Sequence, residues 1–103
     1  MRLITNSAVL LLIGTDSGFG NHAPGMSYHH ELTALQEAGA APAYILRAAT
    51  LNPAIFMGTQ DSEGTVTEGK RADLVVLDAN PLKDTRNARR IHAVIRDGRV
   101  IEP

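Results

Sequence analysis

The feature that most restricts the fold of this 103-residue chain is a run of six apolar residues, 8–13, which ends at Gly14. The run has no alternation of apolar and polar residues, which is typical of a strand covered on both faces, as in a parallel sheet. A buried helix would also be continuously apolar, but six residues bounded by glycine favour a strand. Asp16 follows closely, so the sequence predicts a carboxylate at the carboxyl end of a buried strand.

The position of Asp16 has two interpretations. Active sites of α/β barrels and sheets lie at the carboxyl ends of the strands, because the loops there are free to vary. A carboxylate at that end can bind a divalent metal and accept a proton from water. Aspartate is equally common as a turn residue that caps its own loop. The residues alone leave both interpretations open.

Helical spacing begins after a turn-rich stretch at residues 15–26. Ser27 is a candidate N-cap and Gly39 a terminator, so we expect a first helix between them. One face of this helix would carry three larger side chains, those of Tyr28, Leu32 and Leu35.

Two shorter helices are predicted to follow. Pro42 suits the first position of a helix over residues 43–50. Asn52 is a candidate N-cap for a third helix, with Pro53 as its first residue and Gly58 as its terminator. The first half of the chain is therefore predicted to be one strand followed by three helices.

The amino-acid composition of the second half of the chain is typical of short strands. Residues 65–67 and 72–77 are predicted strands separated by a turn. Asp97-Gly98 is the preferred pair for a two-residue type I′ turn, and it lies between the β-rich runs 91–96 and 99–101. The sequence therefore predicts a hairpin in which Gly98 has a positive φ.

The strand at 72–77 is predicted to be central in its sheet. Its run Leu74-Val75-Val76-Leu77 is too apolar to leave one face in water. We therefore expect a neighbouring strand on each side and a helix, either 43–50 or 53–57, packed over it.

Composition excludes several classes of function. The net charge of −1 gives no electrostatic support for binding nucleic acid or an acidic membrane surface. Cysteine is absent, which excludes disulfides, thiolate catalysis and cysteine-ligated zinc. Residues 8–13 are too few to span a membrane, and no small-residue cleavage site follows them. We expect a cytoplasmic protein that binds neither nucleic acid nor membranes.

Several segments are informative as an ordered set. They are Gly14-Thr15-Asp16-Ser17-Gly18, His29-His30-Glu31-Leu32, Ala48-Ala49-Thr50-Leu51-Asn52-Pro53-Ala54, and residues 64–78 and 91–100. In this order and spacing they resemble the last quarter of metal-dependent enzymes of the amidohydrolase superfamily, in the branch of imidazolonepropionases and prolidase-like dipeptidases. The resemblance covers residues 8–102.

The resemblance implies an α/β fold that holds only part of a barrel. Residues 1–58 would be the last βα unit of a TIM-type barrel, with strand eight at 8–13 and two to three helices after it. Residues 59–103 would be the C-terminal part of a small antiparallel β-sandwich. A complete barrel needs eight strands and about 250 residues, so this barrel would be incomplete.

The resemblance also assigns roles to one residue, Asp16, and His22 is a further candidate by its position. In the family, the aspartate of the first motif is a metal ligand and the general base for the hydrolytic water, so both roles fall to Asp16. The intact family enzyme would hold a divalent metal, zinc before other ions. The chain lacks the family's His-x-His pair and strands one to seven, so by itself it is expected to hold no metal or to hold it poorly. His22, in the next loop, is a candidate substrate contact, a stray ligand or a solvated histidine.

The remaining candidates are expected to be structural. His29 and His30 are adjacent, so they cannot chelate one ion with the i, i+4 spacing of helical ligands. His92 is predicted to be structural or exposed in its strand. Asp73 is expected to mark the entry to the strand at 72–77, remote from any metal.

Two functions from different classes follow. The first is the C-terminal portion of an amidohydrolase that cleaves a C–N bond of a small amide or dipeptide with a metal-activated water, inactive as this chain alone. The alternative is a non-catalytic truncated relative that acts as an oligomerising or partner-complementing module, which Met1 and the unrelated residues 2–7 favour. In both cases a lone strand at 8–13 has unpaired edges, so we expect a homo-oligomer or a complementing polypeptide.

Overall fold

The computed structural model describes residues 10–14 and 26–101 of the chain. In these ranges three helices precede a strand, a 3₁₀ helix and a hairpin. The elements are α1 (Met26–Glu37), α2 (Pro42–Ala49), α3 (Leu51–Met57), β1 (Leu74–Leu77), the 3₁₀ helix (Thr85–Arg89), β2 (Ile91–Arg96) and β3 (Arg99–Ile101). Helices followed by a small antiparallel sheet are the order that the sequence predicts.

The first two helices agree with the sequence except at one end. Gly39, at φ +104°, ends the turn after α1, and Pro42 is the first residue of α2, both as predicted. Ser27 lies inside α1 rather than before it, because the helix begins at Met26. Cap and first-turn positions favour similar residues, so sequence places such a boundary only to within one or two residues.

The third helix corrects a prediction about Asn52. Gly58, in the left-handed region at φ +75°, ends α3 as expected. Asn52 is not its N-cap, because α3 begins at Leu51 and Thr50 serves as the last cap of α2 and the first of α3. The Asn52 side chain donates a hydrogen bond to the carbonyl of Leu11 instead, at 2.9 Å.

The helices share one small apolar core. Leu32 of α1 and Ile45 of α2 are fully buried, and Ala40 packs with them. Partly buried side chains surround this cluster, those of Ile13, Leu35, Tyr44, Ala49 and Ala88. Burial of one leucine or isoleucine stabilises a fold by about 1.5–3 kcal/mol, so this cluster is the main source of stability in the helical part.

The strand predicted at 8–13 is not formed in its described part. Residues 10–14 have no helix or strand, and residues 8 and 9 lie outside the described ranges. A strand requires a hydrogen-bonded neighbour strand, and here the neighbours of the segment are helices. The Ile13 N–H donates to the carbonyl of Ala48, at 3.3 Å.

The sheet has three antiparallel strands in the order β1-β2-β3. Val94 pairs with Ile101 and Ile95 with Val100, as predicted for the hairpin. Asp97 and Gly98 have φ of +51° and +80°, which is the requirement of a type I′ turn, so the hairpin prediction is confirmed.

Two strand predictions are wrong. Residues 65–67 are irregular, and there the hydroxyls of Thr65 and Thr67 bond to each other at 2.8 Å while Val66 is 86% exposed. β1 is an edge strand of the described sheet, not a central one, because β2 pairs with it on one side only. An apolar run indicates that a strand is shielded from water. It does not indicate how many strands flank that strand.

The 3₁₀ helix fastens the sheet to the helices. The buried Thr85 donates its N–H to the side-chain carbonyl of Gln36 in α1, at 2.7 Å. The Gln36 amide in turn donates to Asp84, at 3.2 Å. This pair of bonds joins residues 48 and 49 positions apart, so it fixes the β section against α1.

No helix among the described residues is long and apolar enough to cross a membrane.

Candidate functional site

Asp16 and His22, the two predicted site residues, lie outside the described residues. The structure does describe the segment at 10–14, which runs up to Asp16 in the chain. Its surroundings therefore form the part of the candidate site that can be built from contacts.

Burial alternates along this segment. Leu11 and Ile13 are half-buried, whereas Leu10 and Leu12 are 42% and 36% exposed. Alternation with a period of two is typical of an extended chain with one side packed. The packed side faces the corner between α2 and α3, and the outer side carries apolar residues that the described chain covers only in part.

Two hydrogen bonds attach the segment to that corner. The Leu11 carbonyl accepts from the Asn52 amide at 2.9 Å, and the Ile13 N–H donates to the Ala48 carbonyl at 3.3 Å. Ala48 is fully buried and Asn52 is 5% exposed, so both bonds are shielded from water. The last turn of α2 and the first of α3 thereby take the place of a neighbouring strand along one edge of the segment.

An open cleft of about 1020 Å³ lies between the helices and the sheet. Its lining is mainly apolar and comes from both sides, including Leu46, Leu51, Met57, Leu74, Leu77 and Ile91. The predicted cover of β1 by a helix is therefore partial, and Val75 on the cleft wall remains 55% exposed.

Charges at the rim of the cleft are paired with one another. Arg71 contacts Glu63 at 3.2 Å, and both side chains are exposed. Asp73 accepts the N–H of Asp97 at 2.8 Å, and the Gly98 N–H donates to the Ala72 carbonyl at 3.0 Å. Asp73 thus joins the entry of β1 to the hairpin turn, which is the structural role that the sequence predicts for it.

His29 is the one histidine of the cleft wall among the residues that the structure describes. Its Nδ1 is buried and has no hydrogen-bond partner among the described residues, and its ring lies edge-on to Tyr28 with centroids 5.4 Å apart. Burial, and then the nearby charges of Arg89 and His30, lower the pKa of His29 below its usual value. The described contacts of His29, its burial and the edge-on ring of Tyr28, give it no catalytic role.

Metal ligands do not converge in the described part of the chain. Residues 10–14 and 26–101 contain no group of three or more His, Cys, Asp or Glu side chains that could hold an ion. His92 pairs with Asp78, at 3.0 Å between Nδ1 and Oδ1, and its side chain is 67% exposed, as expected for a surface histidine.

Asn52 is the residue that sequence reasoning assigned wrongly. An asparagine directly before a proline is typical of a helix N-cap. This local signal favoured a capping role over the contact that Asn52 makes with Leu11, 41 residues away. A polar side chain flanked by the apolar Leu51 and Pro53 is a sign of burial that could have pointed to a buried partner.

Known proteins resemble the chain over most of its length. The profile of the Amidohydrolase family matches residues 2–101, so residues 2–7, which we expected to be unrelated to the family, are part of the match. An imidazolonepropionase of Thermoplasma volcanium is 32% identical over 79 residues, which are 77% of this chain and 19% of that protein. An ochratoxinase of Aspergillus niger is 34% identical over 82 residues, 78% of this chain and 16% of that protein.

Solved structures agree with these relatives. A molinate hydrolase superposes on 98% of this chain with a TM-score of 0.86 and 30% identity. A Xaa-Pro dipeptidase with bound methionine superposes on 99% of it with a TM-score of 0.84 and 27% identity. The chain spans a fifth or less of the length of the curated relatives above and about a quarter of these structures. The match over residues 2–101 places the chain in the amidohydrolase family.

Proposed function

We propose that this chain is the C-terminal part of an amidohydrolase that cleaves carbon–nitrogen bonds of small amide or dipeptide substrates. The observation that carries the proposal is the family match over residues 2–101, which includes the motif around Asp16. The similar proteins include a Xaa-Pro dipeptidase and an imidazolonepropionase, so an amide-like bond is the proposed target.

In this proposal residues 1–58 are the end of a TIM-type barrel and residues 59–103 belong to a composite β-sandwich. The alternating burial of residues 10–14 supports the first assignment, since it is the pattern of a strand packed on helices. The confirmed hairpin supports the second.

Asp16 is the proposed general base. A carboxylate accepts a proton from the attacking water, whereas a side-chain amide of the same shape does not. His22, in the same loop by sequence, is the proposed contact to the substrate.

A divalent metal, with zinc the first candidate, is part of the proposal through the family resemblance. A catalytic zinc usually has three protein ligands, and the described residues do not supply such a set. The ligands other than Asp16 would therefore come from polypeptide outside the described residues. We expect this chain alone to be inactive, because its sequence lacks the family's His-x-His pair and strands one to seven.

Uncovered apolar surface supports a need for further polypeptide. Leu10 and Leu12 are exposed on the outer side of the segment, and Val75 and Val100 are exposed on the sheet. A second copy of the chain or a complementing polypeptide would remove these side chains from water. Assembly without catalysis is the alternative function, and turnover measurements separate the two.

The test is a turnover assay on two preparations. One is the chain alone with zinc or manganese, and the other is the chain co-expressed with the polypeptide encoded directly upstream. Amide, dipeptide and lactone substrates should be hydrolysed by the second preparation only. Asp16→Asn should abolish that turnover, and the exposed control Asp61→Asn should leave it unchanged.

Two outcomes would contradict the proposal. Turnover that survives Asp16→Asn would remove Asp16 from the reaction. Turnover by the isolated chain that requires Asp16 would show that its ligands are complete without further polypeptide. Assembly with no turnover in either preparation would favour the non-catalytic module.

A further inference from the structure

The segment at 10–14 has one side-chain anchor among the described contacts, and it comes from Asn52. We propose that Asn52 is a positioning residue, which holds this segment at the α2–α3 corner and so sets where the chain enters the loop that contains Asp16. The inference rests on the proposed function for the role of Asp16, but the anchor itself is tested without catalysis.

The location of the bond explains why it would matter. Asn52 is 5% exposed, Leu11 is half-buried and Ile13 packs against the helical core, so the access of water to the Leu11 carbonyl is reduced. A partly buried carbonyl that loses its donor keeps part of its desolvation penalty. The segment would therefore move away from the corner when the amide is removed.

The two bonds to the corner act at positions two residues apart, at Leu11 and Ile13. In an extended chain such positions face the same side. A pair of contacts on one side fixes both the register and the direction of the segment. Asp16 follows Ile13 by three residues, so an error in register would be carried directly to it.

A helix-capping role for Asn52 makes a different prediction. Aspartate and asparagine cap helices about equally well, because capping uses the side-chain oxygen as an acceptor. The anchor uses the amide as a donor, which aspartate lacks. Asn52→Asp therefore retains a cap, removes the anchor and keeps the shape of the side chain.

Asn87 offers a matched control. Its amide also donates to a backbone carbonyl, that of Asn80 at 2.8 Å, but it lies in the 3₁₀ helix, far from the segment in sequence. Asn87→Asp makes the same chemical change without touching Leu11.

The experiment is hydrogen exchange on the chain, read by mass spectrometry over peptides that cover residues 8–16, 28–48 and 91–101. Asn52→Asp should speed exchange in the first peptide at least tenfold and leave the other two within twofold of the parent. Asn87→Asp should leave the first peptide unchanged. Unchanged exchange at 8–16 in Asn52→Asp, or an equal rise in all three peptides, would overturn the proposal.

An activity arm separates this inference from the proposed function. In the co-expressed preparation, Asn52→Asp should lower kcat tenfold or more with little change in KM. Faster exchange at 8–16 with normal kcat would overturn the positioning role. Failure of Asp16→Asn to reduce turnover would instead refute the proposed function and leave the exchange result intact.

Discussion

The helical part and the sheet differ in how they keep apolar side chains from water. Leu32 and Ile45 are fully buried between α1 and α2, within this chain alone. The sheet leaves Val75 and Val100 at 55% and 70% exposure. The helical part buries its own apolar core, whereas the sheet exposes apolar side chains of the same kind to solvent.

The pairing of the strands shows that both faces of the sheet need cover. Residues paired across neighbouring strands share a face. Val75, Val94 and Ile101 therefore lie on one face, and Leu74, Ile95 and Val100 lie on the other. A sheet with one solvated face would alternate apolar and polar residues. The difference between the two regions is that the described helices bury an apolar core, whereas the described sheet leaves apolar side chains exposed on both faces.

Truncating one side chain in each region is the strongest test of this difference in burial. Ile45→Ala removes fully buried methyl groups and leaves a cavity, so it should lower the free energy of unfolding by about 2–5 kcal/mol. Val100→Ala, at a position exposed within one copy of the chain, should change it by less than about 0.5 kcal/mol when the chain is diluted to a monomer. Urea denaturation of the two variants measures both, and equal losses would contradict the difference between the regions.

The connection between the regions can be tested at Gly64. This residue has φ of +100°, and a Cβ there would lie 2.8 Å from the Cβ of Ala54 in α3. Gly64→Ala should cost about 2–4 kcal/mol, from backbone strain of about 1–3 kcal/mol plus the overlap.

Gly69 is the matched control for this substitution. Its φ is +93°, and a Cβ there would meet nothing within 4 Å. Gly69→Ala should therefore cost only the strain, about 1 kcal/mol. Equal shifts of the thermal midpoint in the two variants would show that α3 does not pack against Gly64.

The hairpin should respond to its turn and not to its charges. Gly98 has φ of +80° with open space around it, so Gly98→Val should cost about 1–2 kcal/mol through backbone strain alone. Arg99→Lys, in the next and exposed position, should be nearly neutral. If both variants shift the thermal midpoint equally, the turn is not the determinant of this hairpin.

The smallest expected effect is a pH dependence at the junction of the two regions. The N–H of Arg86, the Gln36 amide and the Arg86 charge lower the pKa of Asp84 below its ordinary value of 3.8. A lowered folded pKa stabilises the fold above the unfolded pKa, and that contribution is lost as pH falls through the folded pKa. Asp84→Asn should therefore flatten the loss of stability below about pH 4, and Asp61→Asn should not. Identical pH profiles for the parent and Asp84→Asn would contradict this assignment.

Local sequence patterns predicted the elements whose conformation depends on a few neighbouring residues. The hairpin follows from Asp97-Gly98 and its flanking β-branched residues, because a type I′ turn is satisfied within a few residues. Pro42 and Gly58 mark helix ends for similar reasons, since each restricts or permits one backbone conformation.

Long-range placement was not predictable in the same way. The edge position of β1 depends on which strands are present to pair with it. The four apolar residues of β1 do not predict the number of those strands. The contact of Asn52 with Leu11 joins residues 41 apart and competes with a local capping signal. Of the candidate site, the sequence predicts Asp16 by its motif and His22 by its place in the next loop, and both lie outside the described residues. The structure adds the contact of Asn52 with the segment that precedes them.

The most direct test of the claim that the sheet lacks cover within this chain is its mass in solution. Light scattering at micromolar concentration should give at least twice the chain mass of 11.0 kDa. Val100→Lys, at the exposed position of the sheet, should shift that mass toward the monomer. A monodisperse monomer of the parent chain at the same concentration would contradict the claim.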